Sequence, residues 1–263
     1  MVSTAGTSGP APAVLARGLW KRFGTTTAVA GVDLYVPAGS FFGLVGPNGA
    51  GKTTTLSMLT GLLRPDAGSA LVDGVDVWAH PLETKRRIGV LPEGLRLFER
   101  LTGSELLTYI GRLRRLPAAD IGSRTAELLG VLDLEPAGDT LVVDYSTGMR
   151  KKVALAAALL HNPRVLFLDE PFEGVDPVSA RTIRAVLERY TRTGSTVVFS
   201  SHVMELVERL CDAVGVISAG RVVASGPLDA VRGDRSLEDV FVDLVGAGGR
   251  EERSLSWLGS SPR

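Results

Sequence analysis

One cysteine, Cys211, stands in 263 residues, so no disulfide can form within the chain, and no metal-ligating partner lies near it in sequence. A small buried apolar role suits it, and a lone thiol fits a reducing compartment. Charge of one sign is not in excess either. Lysine plus arginine and aspartate plus glutamate each number 29, which excludes a global field that would draw the chain to nucleic acid or to an anionic bilayer. No direct nucleic-acid partner is expected. Also missing is any apolar run of the roughly 18 residues needed to cross a membrane. The best stretch, 153–168, is broken by His161, Asn162, Pro163 and Arg164. Residues 1–13 lack the basic flank and apolar core of a signal peptide and read as a flexible tail. The Gly-, Ser- and charge-rich stretch 247–263 reads as disordered. Membrane association is therefore expected only through a partner.

What is present is the patterning of an α/β domain. Residues 14–20 and 28–36 read as strands of a small antiparallel layer, and 70–78 as a hairpin around Asp73-Gly74. The run SFFGLV at 40–45 is apolar throughout, as a strand buried on both faces of a parallel sheet must be, and it leads into a helix to about residue 63. Further short buried strands are expected at 87–91, 165–168, 196–200 and 213–217, the last three separated by helices at 178–191 and 203–210. Strand, crossover and strand in that order imply a parallel sheet with helices on both faces. Between them, 102–138 turns to helical periods with breaks at Pro117 and Gly122.

Two segments carry chemistry. Gly46-Pro47-Asn48-Gly49-Ala50-Gly51-Lys52-Thr53 fills every fixed position of the phosphate-loop pattern, between a buried strand and a helix. Its glycines let backbone amides face phosphates, and the helix start adds unsatisfied N–H groups and a positive dipole end. Lys52 is expected on the β- and γ-phosphates of ATP and Thr53 on Mg²⁺; Gly46, Asn48, Gly49, Ala50, Gly51 and Thr54 complete the expected contacts. Val165-Leu166-Phe167-Leu168-Asp169-Glu170 is an apolar strand ending in two carboxylates, delivered to the edge where parallel sheets bind ligands. Asp169 is expected to hold Mg²⁺ through water and Glu170 to polarise the attacking water as general base. No internal repeat is visible, so one nucleotide site per chain is expected.

The order of the remaining residues narrows the class. Lys21-Arg22-Phe23-Gly24, Arg87-Ile88-Gly89-Val90-Leu91-Pro92-Glu93, Tyr145-Ser146-Thr147-Gly148-Met149, Gly174-Val175-Asp176-Pro177 and His202 follow one another so that residues 14–246 resemble the ATP-binding cassette (ABC) family. The resemblance implies an α/β P-loop NTPase fold: a RecA-like core, an N-terminal antiparallel β layer, and an inserted helical subdomain at about 93–162. It implies that Phe23 stacks on the adenine. It also implies that His202 contacts the γ-phosphate and that Ser146, Thr147 and Gly148 close on ATP held by a second cassette. Asp176 would organise the opposite site. The family's signature has leucine, glycine and glutamine where Tyr145, Thr147 and Met149 stand, and glutamine where Glu93 stands; Glu93 is expected to touch Mg²⁺ and the water as that amide would. His80 and His161 match nothing and are expected on the surface.

The implied activity is ATP hydrolysis in a pair of cassettes, homodimer or paralogous heterodimer, driving a separate integral-membrane permease at the cytoplasmic face of the membrane. GPNGAGKTTTL, LPE, YSTGMRKKVALAAALLHNP and Ser236-Leu237-Glu238-Asp239-Val240-Phe241 are most similar to cassettes of ABC-2-type exporters. The competing reading is a soluble ABC ATPase acting mechanically on ribosomes or DNA. A module that binds ATP without turnover is a third, opposed by the presence of Lys52, Asp169, Glu170 and His202.

Overall fold

The computed structural model describes residues 11–94 and 96–246. The chain opens with β1 (Pro12–Phe23), β2 (Thr26–Pro37), β3 (Phe41–Val45) and α1 (Lys52–Leu59), then β4 (Ala67–Val72), β5 (Val75–Asp76), α2 (Pro81–Arg87) and β6 (Ile88–Leu91). A helical stretch follows, α3 (Gly103–Leu113), α4 (Ala118–Val131) and α5 (Thr147–Leu159). The remainder alternates: β7 (Val165–Leu168), α6 (Pro177–Arg192), β8 (Thr196–Ser201), α7 (Met204–Leu210), β9 (Ala213–Ser218), β10 (Arg221–Pro227), α8 (Leu228–Arg232) and α9 (Leu237–Gly246).

Two sheets result. One is antiparallel with order β2-β1-β4-β5; the other has order β10-β9-β3-β8-β7-β6, parallel except for the β9–β10 edge. The continuous apolar runs of β3 and β7 are explained by the two cores they separate. Phe42, Leu44 and Phe167 face α1 and the antiparallel layer. Phe41, Val45, Leu166 and Leu168 face the other way, with α3, α5 and α6. Alternate side chains of a strand point to opposite faces, so a strand covered twice must be apolar at every position. Helix α1 packs on β1, β2 and β4, between the two sheets.

Local signals set the ends of the helical stretch. Thr102 and Glu105 form a reciprocal cap at the start of α3, with Thr102 N–H donating to Glu105 Oε2 at 2.9 Å and Glu105 N–H to Thr102 Oγ1 at 3.2 Å. The expected break at Pro117 is present, immediately before α4. The expected break at Gly122 is not: Gly122 lies inside α4, whose burial of Ile121, Thr125 and Leu129 outweighs the roughly 1 kcal/mol that glycine costs a helix. Helix α1 stops at Leu59, short of residue 63, where the Thr60 hydroxyl donates back to Leu56 O at 2.9 Å. Strand β1 begins at Pro12, two residues inside the stretch read as a tail; residues 1–10 and 247–263 lie outside the described residues.

His80 is exposed, as expected, but His161 is not a surface residue. Its Nε2 lies 2.9 Å from Ile88 O at the start of β6, and its Nδ1 is buried without a hydrogen-bond partner. Burial, aided by the charges of Arg114 and Arg124, pulls the ring down to about 4. The unfolded ring titrates near 6.5, so this histidine contributes stability in full above that pH and loses it as pH falls toward about 4. At about pH 5 the loss is about 2 kcal/mol. His161→Gln, which keeps an N–H for Ile88 O but does not titrate, is therefore expected to shrink the fall in Tm between about pH 7.5 and pH 5 by roughly 5 °C. An equal fall in both proteins would place the acid sensitivity elsewhere.

Candidate active site

The chemistry-bearing residues hang from the carboxyl ends of adjacent strands. Strand β3 ends at Val45 and the chain turns through Gly46–Gly51 into α1. Glycine is required here by crowding. A Cβ on Gly46 would come within 2.3 Å of Ile217 O, and one on Gly51, which also has φ 104°, within 2.5 Å of Ala28 O. The loop wraps Lys52, whose ammonium donates to Gly46 O at 2.9 Å and lies 3.5 Å from Glu170 Oε1. Ala50 turns its methyl into the core, and its N–H donates to Pro47 O at 3.1 Å, so it shapes the loop.

Strand β7 delivers Asp169 and Glu170, both buried. From β8 next to it, Ser200 donates its hydroxyl to Asp169 Oδ1 and accepts the Glu170 N–H at 2.9 Å. His202, just beyond β8, brings Nδ1 within 3.2 Å of Glu170 Oε2 and remains partly exposed. From beyond β6, Glu93 accepts the Thr53 hydroxyl at 3.0 Å. Burial raises the Asp169 carboxyl above its ordinary range; bonds from Ser200 and Thr53 oppose this, and the charges of Glu93 and Glu170 add to it.

These groups line one open cleft of about 390 Å³, which Phe23, Asn48, Gly49, Gly51, Lys52, Thr53, Thr54, Glu93, Glu170 and His202 share with Ala28 and Glu173. Phe23 stands half-exposed at its rim, with the Lys21 ammonium 5.8 Å from the ring centroid. Carboxylates at Glu93 and Asp169 with the Thr53 hydroxyl make an oxygen-only donor set suited to a hard divalent cation. Among the described residues no three His, Cys, Asp or Glu side chains cluster as a metal site.

Ser146, Thr147, Gly148 and Asp176 are not in the cleft. Ser146 caps α5, accepting the Met149 N–H at 3.2 Å, and Asp176 caps α6, accepting those of Val178 and Ser179 at 3.0 and 2.9 Å. The two helix starts touch: a Cβ on Gly148 would meet Ser179 Oγ at 2.6 Å and Asp176 Oδ2 at 2.8 Å, and one on Gly174 would meet Thr147 Cγ2 at 3.6 Å. Ser146, Thr147 and Asp176 thus form a single exposed patch. Tyr145 is part of the core, its hydroxyl donating to Ala137 O at 2.7 Å.

The sequence profile described as ABC transporter matches residues 29–173, more than half of the chain. The chain belongs to the ABC transporter family. This ABC subunit is 42% identical over 217 residues to the daunorubicin/doxorubicin resistance ATP-binding protein DrrA of Streptomyces peucetius, covering 82% of this chain and 66% of that one. It is 37% identical to the linearmycin resistance ATP-binding protein LnrL of Bacillus subtilis (80% and 68% covered), and 40% identical to the ABC transporter ATP-binding protein NatA of the same species (81% and 87%). A solved ATP-binding subunit of an ABC transporter superposes with a TM-score of 0.82 at 29% identity, covering 88% of this chain and 98% of that one. The protein is accordingly an ATP-binding subunit and an ATPase; subunits of this family pair and work with a membrane permease. No helix among the described residues is long and apolar enough to cross a membrane.

Three polar residues of this ABC subunit's site had not been singled out. Glu173 lines the cleft, Ser200 links the Asp169 carboxylate to the Glu170 backbone N–H, and Lys151 donates its ammonium to Glu170 O at 2.8 Å. A serine closing an otherwise apolar strand was the one available signal, for Ser200. Ser200→Ala strands the buried Glu170 N–H and removes a donor from Asp169, so a loss of about 1–3 kcal/mol is expected from denaturant unfolding. Unchanged stability would mean that another group takes both bonds.

Proposed function

We propose that this chain hydrolyses ATP with Mg²⁺ in a composite site shared by two cassettes, and that it powers an ABC-2-type exporter. The observation that carries the proposal is the separation just described: Lys52, Glu170 and His202 converge on a cleft open to solvent, while Ser146 and Thr147, at the start of α5, sit on another exposed surface. A second cassette in head-to-tail arrangement would bring its own patch over this cleft.

In that pair the loop amides and Lys52 hold the triphosphate, and Lys52 neutralises charge that grows on the β- and γ-phosphoryl oxygens. Phe23 offers its ring to the base. Glu170 accepts a proton from the attacking water, and His202, against the same carboxylate, orients that water on the γ-phosphate. Mg²⁺, held by Thr53, Asp169 and Glu93, would screen the phosphate charge. Ser146 and the amides of Thr147 and Gly148 cap the γ-phosphate from the other subunit, and Asp176 fixes that patch through α6. ATP bound between subunits favours the closed pair, and its hydrolysis releases it.

The exporter reading is supported by relatives whose names concern resistance to daunorubicin and linearmycin, and by a Nod factor export protein of Ralstonia nicotianae that is 42% identical over 218 residues. A permease at the cytoplasmic face of the membrane has a fitting surface next to Glu93: a hollow of about 810 Å³ lined by Arg96, Leu97, Phe98 and Tyr109, with Phe98 and Tyr109 exposed and stacked edge to face at 5.1 Å.

Glu170→Gln is expected to keep nucleotide binding, reduce turnover by about a hundredfold or more, and accumulate an ATP-bound pair in sedimentation of the purified chain. Pairing of the purified chain makes the second cassette a copy of itself; pairing only after a paralogue is added makes it a heterodimer. A monomer in both cases, with turnover intact, sinks the composite site. For Glu93, glutamine removes one negative charge beside the cation, so half-saturation of turnover is expected at higher Mg²⁺, by about three- to tenfold. Identical Mg²⁺ titrations would show that the Glu93 carboxylate takes no part.

A further inference from the structure

Glu170 has φ 45°, a left-handed conformation that costs a residue with a Cβ about 1 kcal/mol or more. It also precedes Pro171, and the ring of a following proline presses a residue toward extended backbone. Neither feature would persist unless neighbouring groups held it. Three do. The Glu170 N–H is tied to Ser200 Oγ at 2.9 Å; its carbonyl accepts the Lys151 ammonium at 2.8 Å and, more weakly, the Glu173 N–H at 3.3 Å.

Lys151 is an unusual donor for that carbonyl. It sits in the first turns of α5, within a short sequence distance of Ser146, and only 9% of it is exposed. The charges of Glu173, Asp169, Glu170 and Glu93 act on its ammonium. Burial lowers its proton affinity and the four carboxylates restore part of it. An ammonium carried into the interior beside so much negative charge could have paired with a carboxylate. Its hydrogen bond goes instead to the peptide, which leaves both Glu170 oxygens to Lys52 and His202.

We propose that Lys151 is a positioning residue for hydrolysis: by bonding the Glu170 carbonyl it holds the left-handed backbone that aims the carboxylate into the cleft. The assignment rests on the reading of Glu170 as the group that activates water. It places the residue that steadies one site's carboxylate on the same helix whose first turn is offered to the other site.

The test uses the purified full chain with Mg²⁺ATP. Lys151→Met keeps length and burial but cannot donate; Lys151→Arg keeps a cationic donor. The methionine variant is expected to lose about tenfold or more in kcat while its affinity for a fluorescent ATP analogue stays within about twofold, and arginine is expected to recover most of kcat. If Lys151→Met does not fold, Lys151→Gln is judged by the same criteria. A kcat unchanged by loss of the ammonium overturns the proposal, as does a loss in nucleotide affinity as large as the loss in kcat. Wild-type turnover that does not depend on Glu170 overturns the hydrolysis reading and this inference with it. Glu170-dependent turnover that survives Lys151→Met overturns this inference alone.

Discussion

The 3.5 Å approach of the Lys52 ammonium to the Glu170 carboxylate is possible only because β3 and β7 flank the same strand, β8, in a parallel sheet. Adjacent strands lie about 4.8 Å apart, so four neighbours, β3-β8-β7-β6, span about 14 Å from first to last. Their carboxyl ends release, in that order, the phosphate loop with Lys52, then Ser200 and His202, then Asp169 and Glu170, and finally Glu93. Four segments separated by up to 150 residues in sequence thereby share one cleft. Anything that slipped the register of β7 against β8, where Leu168 pairs with Phe199, would move Ser200 away from the Asp169 carboxylate and the Glu170 N–H at once.

That constraint also explains what could be read from the sequence. Strands buried on two faces must be apolar where they are covered, so the runs 41–45, 165–168, 197–199 and 213–217 announce themselves, and chemistry collects where such runs end. Strand β10 is an exposed edge with neither a continuous nor a clean alternating apolar pattern, and it was not legible. Gly122 misled because helix propensity is local, whereas the burial that keeps α4 whole is tertiary. His161 and Lys151 share another reason. Each is polar, sits in or just beyond α5, and acquires its meaning from a main-chain carbonyl on a distant segment, Ile88 O and Glu170 O. No spacing rule marks a side chain whose partner is a peptide.

The patch residues show how one structural need can stand behind a departure from a family pattern. Tyr145 occupies a core position, and its hydroxyl reaches so close to Gly103 that a Cβ there would lie 2.3 Å from it. The bulk of tyrosine is accommodated by the missing side chain at the head of α3. Gly148 is held to glycine by Ser179 and Asp176, which leave no room for a methyl. Thr147 has no such limit: it is exposed, and its methyl lies beside Gly174. Two of these three positions are fixed from inside the chain, and the third is free to answer to whatever covers the patch.

Charge carries the argument one step further. The cleft gathers Glu93, Glu170 and Glu173 against a single lining ammonium, Lys52, with Asp169 beside it and Lys151 buried behind. Burial first, and after it the charges of Glu93 and Glu170, raise the Asp169 carboxyl above its ordinary range. A triphosphate would add still more negative charge, which a divalent ion entering with the nucleotide, as proposed, would offset, and a carboxylate at Glu93 would hold that ion more tightly than a neutral amide. Binding of the ion and of ATP would then be coupled through the same oxygens. The coupling would run in both directions, because each ligand would relieve the repulsion that the other otherwise meets.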